Sequence, residues 1–98
     1  MYKIKNYING SLSGSSLDEK SVIDPSTGEE IAKILISDQS DFSSAIESSK
    51  NSQIGWEQTT PLKRSRIISK YKNLIEKNIE ELASLVSKEH GKTLEDAK

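Results

Sequence analysis

An α+β fold is expected for this chain: N-terminal strands and hairpins, then three amphipathic helices and the start of a fourth. Two observations predict it. Over residues 1–36 short apolar runs alternate with turn signals, Asn9-Gly10 and Asp24-Pro25-Ser26-Thr27-Gly28, which is the punctuation of strands. Over residues 37–98 apolar residues recur at three- and four-residue spacing between helix start and stop signals. The two parts, 1–36 and 37–98, read as pieces of one incomplete domain.

In order, Lys5-Asn6-Tyr7-Ile8 is a short strand candidate. Asn9-Gly10 suits a two-residue hairpin turn, because both residues tolerate positive φ, and Ser11-Leu12-Ser13 would be the returning strand. Gly14-Ser15-Ser16 reads as a loop that Leu17-Asp18-Glu19-Lys20 continues without periodicity. Ser21-Val22-Ile23 is a further strand. In Asp24-Pro25-Ser26-Thr27-Gly28, proline fixes φ early and glycine supplies a left-handed residue late. Glu30 to Ile36 is β-branched and nearly continuous in apolar character, with Ala32, Ile34 and Ile36 on one face and Ile31, Lys33 and Leu35 on the other.

Asp38 starts the first helix, with Asp41 well placed against the helix dipole. Phe42, Ala45 and Ile46 form its apolar face. Ser43, Ser44, Ser48 and Ser49 lower its helix propensity, because serine competes for backbone hydrogen bonds. Ile54 and Trp56 are read as anchors in the connection that follows. Thr60-Pro61 is the second helix start: the hydroxyl can accept a backbone N–H and proline tolerates the first helical position. Ile67, Ile68, Tyr71, Leu74 and Ile75 make its stripe. Asn78 with Glu81 three residues on predicts a capping box and a third helix, striped by Ile79, Leu82, Ala83 and Val86. Gly91 suits the left-handed position past its end. Thr93 with Asp96 begins a fourth.

The chain has 98 residues, room for one small domain at most, and 33% apolar residues, lean against about 45–50% for globular proteins even with glycine left out of this count. Formal net charge is −1, which gives no global attraction to nucleic acid or anionic membrane. Locally, Lys63, Arg64, Arg66, Lys70, Lys72 and Lys77 stand against Glu76 alone, an excess of five positive charges over residues 61–77. These cations flank the apolar stripe and are not interleaved with aromatics, so a solvated or ion-paired helix face is the expectation and no nucleic-acid partner is expected. There is no cysteine, so a disulfide, a thiolate metal site and a cysteine nucleophile within these residues are excluded. No apolar run approaches the ~18 residues of a membrane helix. No signal-peptide apolar region follows Met1, and a cytoplasmic protein is expected.

His90 is the single histidine. It falls in a last helical turn, where partial positive charge is favourable, and no nucleophile or carboxylate pair is arranged around it. Gly91-Lys92-Thr93 has the ending of a phosphate-binding loop but lacks the upstream glycine and the preceding strand that the motif needs.

The runs WEQTTPLKRSRI and LASLVSKEHGKTLEDAK resemble the N-terminal part of the aldehyde dehydrogenase superfamily. PLKRSRI and EHGKTLEDAK are most similar to its methylmalonate-semialdehyde dehydrogenase branch, the CoA-acylating one. The Ile8-Asn9-Gly10 turn and the strands around Ser26-Thr27-Gly28-Glu29 fit the same pattern. The chain departs from it in having Asp24 where asparagine is commoner and serines where the first helix is usually alanine-rich. The resemblance implies an NAD-dependent, CoA-using parent enzyme that is a homo-oligomer, with the remainder of that polypeptide as this chain's partner. It also implies that the catalytic cysteine, the general-base glutamate and the dinucleotide region lie further along, so this stretch is scaffold, inactive alone, with no catalytic or cofactor-binding residue. Some members hold a structural monovalent cation at positions matching Val22, Ile23 and Glu89. Two backbone carbonyls and a carboxylate suit a hard cation; the plainer reading is that Glu89 is solvated or caps nearby N–H groups. Two other classes compete with the enzyme reading: a free-standing helical interaction module, and, more weakly, a nucleic-acid binder using the basic helix.

Overall fold

The computed structural model describes residues 2–14 and 17–98. Five strands precede four helices among them: β1 (Tyr2–Ile4), β2 (Asn6–Ile8), β3 (Ser11–Ser13), β4 (Glu19–Ile23), β5 (Glu30–Leu35), α1 (Gln39–Glu57), α2 (Pro61–Lys77), α3 (Ile79–His90) and α4 (Leu94–Ala97). The expected α+β order is therefore present. By contacts the chain divides into two compact units. The first holds the described residues up to Ile23 together with Glu30–Gln58; the second holds Asp24–Glu29 and Thr59–Lys98.

In the first unit β5 is the middle strand of a mixed sheet ordered β1-β5-β4. It pairs in parallel with β1, Tyr2 opposite Ala32, and antiparallel with β4, Val22 opposite Ala32. Ala32 is thus flanked on both sides and is fully buried. A register shift between Val22 and Ile23 sets Ile23 opposite Glu30, leaving Ile31 as the extra residue of a bulge. β2 and β3 form the predicted hairpin, Ile8 opposite Ser11, with Asn9 at φ 52 and Gly10 at φ 78. Its middle pair, Tyr7 and Leu12, stays 73% and 70% exposed.

A polar ladder crosses the three-stranded sheet. Lys3 Nζ lies 2.9 Å from Glu19 Oε1, and Lys33 Nζ lies 3.9 Å from Glu19 Oε2 and 4.0 Å from Glu30 Oε1. Ser21 Oγ donates to Glu30 Oε1 at 3.0 Å. The hydrogen bond from Lys3 and the two ammonium charges hold the Glu19 carboxyl below its usual value.

α1 is opened by a complete capping box. The Asp41 N–H donates to Asp38 Oδ1 at 2.9 Å, and the Asp38 N–H donates to Asp41 Oδ2 at 3.0 Å. The helix then runs on to Glu57, which corrects the expectation that Ile54 and Trp56 sit in a connection. Gly55 is carried inside the helix at a cost of about 1 kcal/mol relative to alanine. Glu19 and Lys20 likewise belong to β4, where they pair with Leu35 and Ile34; they were expected in a loop. β1 was not expected at all. Of the predicted loop Gly14-Ser15-Ser16, Ser15 and Ser16 lie outside the described residues.

In the second unit the Asp24–Glu29 turn closes on itself. The Asp24 N–H donates to the Glu29 carbonyl at 2.9 Å, the Gly28 N–H to the Asp24 carbonyl at 2.8 Å, and the Ser26 N–H to Asp24 Oδ1 at 2.8 Å. Thr60 caps α2, accepting from the Lys63 N–H at 3.3 Å. Gly91 ends α3 at φ 83, its N–H donating to the Ser87 carbonyl at 2.8 Å. A Cβ on Gly91 would stand 3.2 Å from Pro25 Cγ, so the turn seats on the end of α3. Thr93 caps α4, and Lys98 Nζ meets Glu80 Oε1 at 2.6 Å.

The predicted capping box at Asn78 is not formed. Asn78 is at once the last cap of α2 and the first of α3, at φ −110 and ψ 20. A side chain caps from extended backbone, and this residue is not extended. Its amide instead donates back to the Leu74 carbonyl at 2.8 Å. Ala83 on α3 is the only fully buried hydrophobic residue of this unit among the described residues. Ile67, Ile68, Tyr71 and Leu74 of α2 are all about half exposed or more.

Candidate functional site

The residues singled out for chemistry fall at structural positions. His90 is the last residue of α3 and is exposed. Gly91-Lys92-Thr93 is a helix stop followed by a helix cap, not a phosphate loop. Val22 and Ile23 are consecutive on β4 in the first unit, while Glu89 is exposed on α3 in the second. Among the described residues no three histidine or acidic side chains cluster as a metal site.

Several helix hydroxyls are spent on the backbone, and Ser21 Oγ on the Glu30 carboxylate within the β4–β5 pair at 3.0 Å. Ser49 Oγ donates to the Ala45 carbonyl at 2.8 Å, Ser65 Oγ to Leu62 at 2.8 Å and Ser87 Oγ to Lys92 at 2.6 Å. At each of these three a nucleophilic serine would need a base at such a distance instead. The basic residues of α2 lie mostly on an exposed surface, with Lys72 3.6 Å from Glu76 one turn on; Arg64 is half-buried and its Nε donates to the Thr59 carbonyl at 3.0 Å.

One open groove of about 440 Å³ lies between the β2–β3 turn and α1, lined by Ile8, Asn9, Ser44, Glu47, Ser48, Asn51 and Ser52. Reasoning from sequence did not find it, because hairpin and helix are brought together only by the fold. It offers hydroxyls, amides and one carboxylate, with no aromatic platform and no second charge. What these residues supply is backbone geometry, caps and apolar faces.

The architecture that carries them is α+β, strands first and helices after. The pattern that defines the aldehyde dehydrogenase family matches residues 12–98, and the chain belongs to that family. It is 36% identical over 97 residues to malonate-semialdehyde dehydrogenase of Pseudomonas aeruginosa, covering 99% of this chain and 20% of that protein. It is 39% identical over 95 residues to a Dictyostelium discoideum protein assigned as a mitochondrial acylating methylmalonate-semialdehyde/malonate-semialdehyde dehydrogenase, covering 96% of this chain and 18% of that one. A crystal structure assigned as a methylmalonate-semialdehyde dehydrogenase of Sinorhizobium meliloti 1021, complexed with NAD, superposes with a TM-score of 0.95 at 36% identity, over 99% of this chain and 20% of its own.

The chain therefore spans about a fifth of the length of these relatives. It matches them as an N-terminal portion, strands first and helices after. The reading as a free-standing helical interaction module finds no support in these matches. No helix among the described residues is long and apolar enough to cross a membrane.

Proposed function

We propose that this chain is the N-terminal scaffold of an NAD-dependent, CoA-acylating aldehyde dehydrogenase. Its parent would oxidise malonate or methylmalonate semialdehyde to acetyl-CoA or propionyl-CoA with loss of carbon dioxide. The observation that carries this is the pairing of near-complete structural coverage of the chain with coverage of only a fifth of the relative. The substrates come from the relatives' names, and NAD from the complexed relative. With no cysteine in the sequence, the cysteine that attacks the aldehyde is supplied elsewhere in the parent. A homo-oligomeric parent, a cytoplasmic location and no nucleic-acid role belong to the same proposal.

The test uses the polypeptide that carries this chain at its N-terminus. NADH absorbance is followed with NAD, CoA and malonate semialdehyde; CoA-dependent NADH formation is expected. A coding sequence that stops after Lys98 would overturn the proposal, as would saturable NAD binding by the 98-residue chain alone in calorimetric titration. For Val22, Ile23 and Glu89 we keep the plainer reading of a solvated Glu89. The thermal midpoint of Glu89→Gln should then depend on potassium or sodium no differently from the parent. A cation dependence that this variant abolishes would establish the ion site instead.

A further inference from the structure

We propose that Asn9 is the site of spontaneous deamidation in this protein, and that its conversion loosens the β2–β3 hairpin from α1. The chain has five asparagines, at 6, 9, 51, 73 and 78. Only Asn9 is followed by glycine. The reaction needs the next residue's backbone nitrogen to reach the asparagine Cγ, and a side chain on that next residue hinders the approach. Gly10 has none, and the space where its Cβ would stand is open to 4 Å.

The fold restrains the other four. Asn51 and Asn73 lie inside α1 and α2. The Asn78 amide donates to the Leu74 carbonyl at 2.8 Å, and the Asn6 amide donates to Ser37 Oγ at 2.8 Å. Asn9 is exposed at the tip of the hairpin. The flanking strands are three residues each, and their pairing ends at Ile8 and Ser11, so the Gly10 N–H lies outside the ladder. An isolated two-stranded hairpin is only marginally stable, and local opening of such an element takes little free energy.

The step balances with water as the co-reactant. The Gly10 nitrogen, losing its proton, attacks Asn9 Cγ. The Cγ–Nδ2 bond breaks and ammonia leaves with that proton, closing a five-membered imide. Water then opens either carbon–nitrogen bond of the ring. Attack at Cγ restores the main chain and leaves aspartate. Attack at the main-chain carbonyl leaves Gly10 attached through Cγ, which inserts a methylene into a two-residue turn. Such a turn tolerates no extra backbone atom without shifting the Ile8–Ser11 register. Either product adds a carboxylate in the groove that Asn9 shares with Glu47, where like charges repel.

The experiment incubates the polypeptide that carries this chain at mildly alkaline pH and follows it by peptide mapping with mass spectrometry. A denatured sample is incubated beside it. The amide-to-acid mass gain is expected in the Asn9 peptide well before the peptides holding the other four asparagines. Amide hydrogen exchange on the aged protein should show lost protection in β2, β3 and the facing turns of α1, and Asn9→Asp should reproduce part of that loss in fresh protein. Equal conversion at Asn6, Asn51, Asn73 or Asn78 would overturn the site. Conversion of Asn9 in the denatured sample but not in the folded one would overturn the claim that the hairpin opens. Unchanged exchange after conversion would overturn the coupling to α1.

Discussion

Among the described residues each unit buries one hydrophobic residue completely, and in both it is an alanine: Ala32 in the first and Ala83 in the second. They reach that state by different means. Ala32 sits on a central strand with hydrogen-bonded neighbours on both sides, one parallel and one antiparallel. Ala83 sits on a helix that packs chiefly on the short α4 and touches α2 sparingly. Backbone pairing between distant segments orders the first unit. Local helical bonds and caps order the second, and in both units large apolar side chains remain exposed, Leu12, Phe42 and Ile54 in the first as much as Leu62, Ile68 and Leu74 in the second. Each aliphatic left exposed forgoes roughly 1.5–3 kcal/mol of burial. Both units leave such surface uncovered, so the difference between them lies in what holds each buried alanine in place.

The largest test of that difference places a carboxylate at each alanine. Ala32→Asp buries a charge where strands on both sides prevent any shift, and should cost several kcal/mol, on the order of the ~5–15 kcal/mol that holds a small domain together. Ala83→Asp should cost less, because a helix with sparse tertiary contact can move to let the carboxylate reach water. Urea unfolding measures both. Equal losses would erase the distinction between the units.

Glycine substitutions give the next largest effect. Gly28 and Gly91 both have positive φ, 76 and 83. An alanine in the left-handed region costs roughly 1–2 kcal/mol. Around Gly28 there is open space, whereas a Cβ on Gly91 meets Pro25 Cγ at 3.2 Å. Gly28→Ala should show the conformational cost alone, and Gly91→Ala should exceed it. If the two fall together, the Asp24–Glu29 turn is not held against the end of α3.

The places where sequence reasoning succeeded and failed divide along the same line. Asn9-Gly10, Asp38 with Asp41, Thr60-Pro61, Gly91 and Thr93 are signals whose mechanism is complete within a few residues, and each is realised. β1 was invisible because its only justification is a parallel pairing with β5, some thirty positions away, and three residues carry no period. Glu19 and Lys20 carry no strand pattern either; cross-strand partners and the Lys3 ion pair place them in β4. Ile54 and Trp56 were expected in a connection, yet α1 runs on to Glu57 and carries Gly55 inside it. The family was legible in short motifs around Trp56 and Gly91, because each is a contiguous run that needs no distant partner to be read. The groove beside α1 was not, because it exists only after the hairpin is docked.

Two helix starts of equal promise in the sequence give a smaller test. Thr60 accepts its N–H as expected, so Thr60→Ala should cost about 1 kcal/mol. Asn78 makes no such cap, and Asn78→Ala should cost less than about 0.5 kcal/mol, being a substitution away from any buried feature. Thermal unfolding of the two variants checks the order. A larger loss at Asn78 would mean that its bond to the Leu74 carbonyl, or a cap formed transiently, matters more than the structure indicates.

The smallest effect separates the units by pH. Glu19 is tied to Lys3 and approached by Lys33 across three strands of the first unit, and its carboxyl is held below the ordinary value. A carboxylate whose folded value is depressed stabilises the fold above its unfolded value, and that contribution fades as pH falls through the folded one. Acidifying from neutral pH through the ordinary carboxylate range and below should therefore weaken β4–β5 protection more in the parent than in Glu19→Gln. The difference should be small, because exposed ion pairs are screened by water, and it should shrink further as salt is raised. The second unit has the opposite dependence at its Lys98–Glu80 pair. There the Lys98 ammonium is held above its usual value, so its contribution is present at neutral pH and is lost only as pH rises through that raised value. Amide exchange along the chain can read both windows in one protein. Protection lost first in β4 and β5 on acidification, and first in α3 and α4 on strong alkalinisation, is the expected pattern; simultaneous loss in both units at either extreme would show that they unfold as one body and that the contrast between them has no energetic meaning.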